Sequence, residues 1–274
     1  MKRILVPTDF SSHAENALKA ASKIAKKNNS EIFLLHMLEL PHQMSDAISG
    51  GSSIPEVMLY IKKAQEKLEA IKESPYLEGI QITEAVHFER AFDGIIAFCK
   101  KNEIDLIVMG SHGSSGLEEL LVGSNAEKVV RLSEVPVLVI KKEDKEFNAD
   151  NIIFASDFSK EAKKPFRKIV EFANIFDSNI KLVMICTPNS FKTTIAAEKI
   201  MNDFVSNFDI KKYSTHTYND ANIEKGVINF ANSNNADLIG ICTHNRTALS
   251  HFFNGSVSED LVNHSTKPVL AFKI

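Results

Sequence analysis

Two α/β domains in tandem, each a parallel sheet covered on both faces by helices, are the fold this sequence predicts. Three observations carry that expectation. The chain has 274 residues, more than the roughly 100–200 of one ordinary domain. It is also written twice. Ile4-Leu5-Val6-Pro7-Thr8-Asp9-Phe10-Ser11 recurs as Ile152-Ile153-Phe154-Ala155-Ser156-Asp157-Phe158-Ser159, 148 residues on. Asp105-Leu106-Ile107 and Pro136-Val137-Leu138 recur as Asp237-Leu238-Ile239 and Pro268-Val269-Leu270, 132 residues on. Finally, within each copy short runs apolar on both faces alternate with stretches of helical period.

The first copy sets the element order. Ile4–Pro7 is a short apolar strand. Ala14, Ala17, Leu18, Ala21 and Ile24 then recur at helical spacing, with Ser12-x-x-Glu15 as a capping box. Ile32–Leu38 is the second strand. Val57, Ile61, Ala64, Leu68 and Ile71 step by four and three along an amphipathic helix. Ile80–Phe88 is a third strand, Gly94–Lys101 a helix, Leu106–Met109 a fourth strand and Val135–Ile140 a fifth. The second copy repeats this order, with Pro165 expected to kink or delay its first helix. It is 16 residues shorter between the two anchors, and the polar stretch Pro41–Ser53 is the expected site of the loss. The charged segment Lys141–Asp150 reads as a linker between domains at 1–142 and 150–274.

Composition narrows the function classes. The 32 basic and 35 acidic side chains leave a net charge of −3, and the pI is near 6.3. A nucleic-acid coat would carry a basic excess instead. Three well-separated cysteines, Cys99, Cys186 and Cys242, argue against a disulfide framework and for a reducing compartment. No apolar run approaches the roughly 18 residues of a membrane span, and Pro7 interrupts the first one, so a cytoplasmic protein is expected.

The most informative segment is Met109-Gly110-Ser111-His112-Gly113-Ser114-Ser115-Gly116, followed by Leu117–Val122 and Gly123-Ser124-Asn125. It leaves an apolar strand and enters a helix, with Ser124-x-x-Glu127 as a second capping box. Glycines let main-chain N–H groups approach phosphate oxygens closely, and the helix opening adds N–H donors and the positive end of its dipole. The spacing Gly110-x2-Gly113-x9-Gly123-Ser124, with Val6-Pro7-Thr8-Asp9 before it and Val135-Pro136-Val137-Leu138-Val139 after it, strongly resembles the universal stress protein family. The resemblance covers the whole chain as a tandem.

That resemblance implies five-stranded doubly wound (Rossmann-like) sheets of order 3-2-1-4-5 and, in one subclass, bound ATP with Mg²⁺ as its usual companion. The strand order places a crevice between strands one and four, where open α/β sheets bind ligands. By the same resemblance, Pro7, Thr8 and Asp9 line the adenine–ribose side, and Met37 offers backbone groups to adenine. Met109, Gly110, His112, Gly113, Gly123, Ser124 and Asn125 surround ribose and phosphates. Each residue also has a structural reading. Asp9 suits the turn after strand one, Ser124 caps its helix, and His112 is a polar loop residue as readily as a phosphate donor. Gly116 can simply permit a turn. His36 reads as a hydrogen-bonded core histidine, and Cys99 as a small buried apolar residue.

In the second copy Cys242 and Asn245 replace two of the glycines and Ala248 a third, while His244, Gly255-Ser256 and the capping pair Ser256/Glu259 survive. The fold is kept and phosphate room is expected to be lost, giving one ATP per chain. Cys242, His244, His216, His251 and His264 show no recognised metal-ligand spacing. The expected function is that of an ATP-binding stress-response sensor or stabiliser, not an enzyme beyond slow hydrolysis. No G-x4-G-K-[ST] loop or H-x-G-H pair is present, and strand one is followed by Thr8-Asp9-Phe10-Ser11-Ser12 and not by a Ser-Gly-Gly-rich loop. The alternatives are a ligand-free structural pseudo-dimer acting through protein partners and a slow ATPase or other nucleotide-dependent enzyme. By the same resemblance the two domains are expected to pair through their last strands, Val135–Ile140 and Pro268–Lys273, and the physical motive is that an apolar edge strand invites strand addition. A homodimer of whole chains is a further partner, with neither nucleic acid nor membrane expected.

Overall fold

The computed structural model describes residues 1–38, 54–88, 90–111, 123–141, 147–243 and 255–274, by backbone alone at 54–56 and 255–257. The first half runs β1 (Arg3–Pro7), α1 (Ser12–Asn28), β2 (Glu31–Met37), α2 (Ile54–Lys72), β3 (Ile82–His87), α3 (Ala91–Lys101), β4 (Leu106–Gly110), α4 (Ser124–Leu132) and β5 (Val137–Ile140). The second runs β6 (Asn151–Ala155), α5 (Lys163–Phe176), β7 (Asn179–Cys186), α6 (Thr194–Val205), β8 (Tyr213–Asn219), α7 (Ile223–Ser233), β9 (Leu238–Thr243), α8 (Gly255–His264) and β10 (Val269–Lys273). The expected elements are present, with ends shifted by one to three residues where strands fray.

All ten strands join one sheet in the order β3-β2-β1-β4-β5-β10-β9-β6-β7-β8. Each half therefore has the order 3-2-1-4-5. Pairing is parallel within the halves. It is antiparallel at the seam, where Val139, Leu138 and Val137 face Val269, Leu270 and Ala271. This is the edge-to-edge pairing expected for the last strands: each apolar edge satisfies the other's unpaired N–H and C=O groups.

Period-two alternation splits the strands between two apolar layers. Ile4, Val6, Leu106, Val108, Leu138 and Ile140 join Ala17, Leu18, Ala21 and Ile24 of α1 in one layer. Leu5, Ile107, Met109, Val137 and Val139 join Ile95 and Phe98 of α3 and Val129 and Val130 of α4 in the other. Both layers continue through the seam, the first into Phe154, Phe166 and Phe172 and the second into Ile153, Ile239 and Ile241. Strands buried on both faces need no polar alternation, which is why they read as continuous apolar runs.

Four expectations change. The N-cap of α1 is Ser11, whose side chain accepts from the Ala14 N–H at 3.3 Å. Glu15 instead forms an i,i+4 pair with Lys19 at 2.7 Å, so the Ser12 capping box is absent. At α4 the N-cap is Gly123, with no side-chain cap, and Ser124 is already the first helical residue. The segment after Lys141 is not simply a polar linker, because Phe147 and Ala149 are buried. Phe147 stacks edge-on against Phe176, with centroids 5.7 Å apart, and its carbonyl accepts from Lys23 Nζ at 3.2 Å. The shortening of the second copy also falls partly on a helix: α6 has 12 residues where α2 has 19. Pro41–Ser53 itself lies outside the described residues.

Pro165 acts as expected. Helix α5 begins at Lys163 with Pro165 in its first turn, where the missing N–H costs nothing. By the repeat its start is three residues later than that of α1.

Candidate functional site

The turn after β1 is built by its own side chains. Thr8 Oγ1 accepts from the Phe10 N–H at 3.1 Å and Asp9 Oδ1 from the Ser11 N–H at 3.0 Å. Together they hold Phe10 at φ 66°, a left-handed conformation that a bulky residue adopts only when held. The second copy repeats the device. Ser156 Oγ accepts from Phe158 and Asp157 Oδ1 from Ser159, both at 3.0 Å, with Phe158 at φ 58°. Asp9 thus has the turn role, and one of its oxygens is committed to it.

β4 ends beside this turn. A Cβ at Gly110 would lie 2.8 Å from both the carbonyl carbon and oxygen of His13, closer than real contacts allow. Gly110 is therefore required by the approach of α1 to β4. After it, Ser111 is buried; its N–H donates to Ile140 O at 3.0 Å and its carbonyl accepts from Gly123 N–H at 2.8 Å. That second bond brings the chain back to where it left, so α4 starts beside the end of β4. With Gly123 uncapped, the N–H groups of the first turn of α4 have no acceptor within the helix. Ser124 and Asn125 are exposed there.

Between these parts lies a cleft of about 420 Å³, at the carboxyl ends of β1, β2 and β4. Pro7, Thr8, Asp9 and Met37 line one side, and Met109, Gly110, Gly123, Ser124 and Asn125 the other. His112, Gly113 and Gly116 lie outside the described residues, as do His244, Asn245, Ala248 and His251 of the second copy. Residues not singled out by sequence also contribute: Ala14, Leu35 and Ala126, together with Ala91 and Ile95 from α3. Their small or apolar character carries no motif, and only the fold brings them to one place. Ser111 was inside the motif and is recruited by its backbone.

His36 is tied into the structure as expected. Its Nδ1 lies 2.8 Å from Thr8 O and its ring stacks on Phe10 at 4.4 Å. It also forms part of the cleft wall. Cys99 is buried, and burial pushes its thiol up to about 12, which leaves it without thiolate character. Among the described residues no group of His, Cys, Asp and Glu is arranged to hold a metal ion. His216 bonds Ser214 Oγ at 2.8 Å and His264 Nδ1 lies 2.6 Å from Glu224.

The second copy requires a correction. Cys242 does not project toward a ligand. It is buried in the same apolar layer as Phe154, Leu238 and Phe272, the layer toward which a Gly110 side chain would point. Burial, and the neighbouring Asp157 charge, push its thiol above the ordinary range. By the repeat the counterpart of His13 is Glu161, which lies ahead of the start of α5 and not inside the helix.

Two halves of order 3-2-1-4-5, the first with a cleft at the carboxyl ends of β1 and β4, define a doubly wound α/β protein in tandem. A model described as "Universal stress protein family" matches residues 1–141 and again 148–273. The chain belongs to the universal stress protein family, as a tandem member. The universal stress protein MJ0531 of Methanocaldococcus jannaschii is 35% identical over 146 residues, covering 53% of this chain and 85% of that protein. The universal stress protein Slr1230 of Synechocystis is 22% identical over 299 residues and aligns with the full length of both chains. The crystal structure of a universal stress protein from Archaeoglobus fulgidus superposes with a TM-score of 0.71 over 99% of this chain and 98% of that one, at 22% identity. No helix among the described residues is long and apolar enough to cross a membrane.

Proposed function

We propose that this stress-response protein binds ATP in the cleft of its first half, one nucleotide per chain, and works in the cytoplasm by occupancy and not by turnover. The observation that carries this reading is the pairing of an uncapped α4 N-terminus with a 420 Å³ cleft whose other wall is Thr8-Asp9 and Met37. Such a helix start favours negative charge through free N–H donors and its dipole. The apolar wall of Leu35, Met37 and Ile95 suits a flat base. The donor set fits the nucleotide. Ser124, Asn125 and the first-turn amides would hold phosphates, and Asp9 a ribose hydroxyl. Magnesium, when bound, neutralises phosphate charge with few protein ligands.

Occupancy without turnover rests on the wall chemistry. The ionisable groups among the described wall residues are Asp9 and His36, and each already serves the β1 turn. Neither is placed as a free general base.

Thermal unfolding with ATP, ADP, AMP and cyclic AMP tests the binding. A ligand at a hundredfold its Kd adds roughly 2.7 kcal/mol of stability. The reading predicts such a shift, with a calorimetric stoichiometry of one. No shift with any of the four, or two equivalent sites, contradicts it. Sustained phosphate release above that of a Ser124 variant would return the enzyme reading.

A further inference from the structure

A groove lies at the seam between the halves, beside the start of α5. Its volume is about 310 Å³. The apolar floor is Pro136, Pro165 and Phe272, all buried. Lysines from two different elements line it: Lys164 and Lys168 from α5, and Lys273 from β10. Glu134 stands at the rim.

These lysines belong to a wider concentration of charge. Lys160, Lys163, Lys164, Arg167 and Lys168 fall within nine residues of a chain whose net charge is −3. Among the described residues no carboxylate lies within ion-pair distance of any of the five. Lys273 Nζ donates to Leu132 O at a loose 3.4 Å. The repeat supplies an internal control. The positions 148 residues earlier are Ser12, Glu15, Asn16, Lys19 and Ala20, and Lys19, the one cation, is paired with Glu15 at 2.7 Å. The second half thus carries cations without carboxylate partners beside this groove. Cations brought together without partners repel one another and cost stability unless an anion joins them.

We propose that this groove is a binding site for a small phosphorylated, hydroxyl-bearing molecule, separate from the nucleotide cleft. The phosphate dianion lies between Lys164 and Lys168, the carbon skeleton lies on the Pro136–Pro165–Phe272 floor, and Glu134 accepts from a hydroxyl. The enclosed volume suits a ligand of metabolite size, and an apolar floor with a carboxylate rim is poorly matched to a polyanion or a membrane surface. The site spans the halves, so its occupant would bear on the β5–β10 seam.

Glycerol 3-phosphate and inorganic phosphate are the probes, titrated into the full chain and followed by backbone amide NMR. The proposal expects saturable shifts at Phe272–Ile274 and in the first turn of α5. The double variant Lys164→Gln/Lys168→Gln lowers affinity about tenfold or more, while Lys100→Gln/Lys101→Gln leaves it unchanged. Glycerol 3-phosphate binds more tightly than phosphate in the parent, and Glu134→Gln narrows that difference. A Ser124→Asp variant, which repels anions from the nucleotide cleft, retains the groove shifts, so failure of the nucleotide reading and failure of this one are distinguishable. The proposal is overturned by shifts confined to the start of α4, by unchanged affinity in the double variant, by absence of saturation at about 10 mM probe, or by binding of heparin or anionic vesicles with neither small probe bound.

Discussion

Gly110 and Cys242 occupy the same place in the two halves and teach opposite lessons about the glycine motif. Gly110 is there because the His13 backbone leaves no room for a Cβ. Gly110→Ala is therefore expected to destabilise the chain by about 1–3 kcal/mol through overpacking, whether or not nucleotide is present, as read by urea unfolding. Cys242 fills space under a helix that starts later. Cys242→Gly is expected to cost about 1–3 kcal/mol, from lost burial and added chain entropy, and to confer no second ATP on calorimetry. A gain of binding in that variant would return Cys242 to the ligand site. The sequence showed the substitution; it did not show which way the side chain points, because that depends on α1 and α5.

In the proposed function the element that decides ligand chemistry is α4. Its first turn has no side-chain cap and carries Glu127 as its acidic residue. Placing a carboxylate at its first position by Ser124→Asp complements the dipole and is expected to stabilise the free protein by about 0.3–1 kcal/mol. The same change opposes phosphate and should lower ATP affinity at least tenfold. Opposite signs in thermal unfolding without ligand and in ATP titration are the test; matching signs would mean that phosphates do not meet this helix. At α1 the cap is Ser11, so Ser11→Ala should cost about 1 kcal/mol, with Ser12→Ala near neutral. Ser12-x-x-Glu15 and Ser124-x-x-Glu127 both match the capping pattern, yet the N-cap position falls one residue earlier in each, at Ser11, which caps α1, and at Gly123, which has no side chain to cap α4. Pattern matching cannot choose between adjacent serines, or a serine and a glycine, because the choice rests on backbone dihedrals set by the preceding turn.

At the scale of the whole molecule, the seam is fastened by reciprocal contacts. Lys141 Nζ donates to Val262 O near the end of α8, and Lys273 Nζ to Leu132 O at the end of α4. The two lysines are 132 residues apart, as the repeat requires, and each cation meets a helix C-terminus of the other half. Arg131 and Glu259 add an ion pair across the seam at 3.6 Å. Lys141 is buried, and burial lowers it from 10.5 to about 8. Between those values the unfolded chain binds more protons than the folded one, so this group's contribution to stability rises with pH; below about 8 its burial penalty is fully present. Relative to Lys141→Met, the parent should gain stability across that window, by no more than about 3 kcal/mol. A flat difference between the two unfolding curves would show that Lys141 is not desolvated. Amides of Val137–Val139, paired on both sides, should exchange only through global unfolding.

The sequence by itself determined the repeat, the strand and helix order, the pairing of last strands and the motif residues on the two walls of the first cleft, from Pro7 to Asp9 and from Gly123 to Asn125. Each of these is local, or follows from apolar runs and turn chemistry that repeat in the same order. The tertiary structure decided what the repeat could not: that Gly110 answers to His13, that Phe147 belongs to the core, and that α6 absorbs part of the shortening. It also decided that Lys164 and Lys168 line one groove with Glu134 and Pro136, which are distant in sequence. These depend on how closely one element approaches another. That distance is set by packing across the sheet and the seam, not by any residue's own preference.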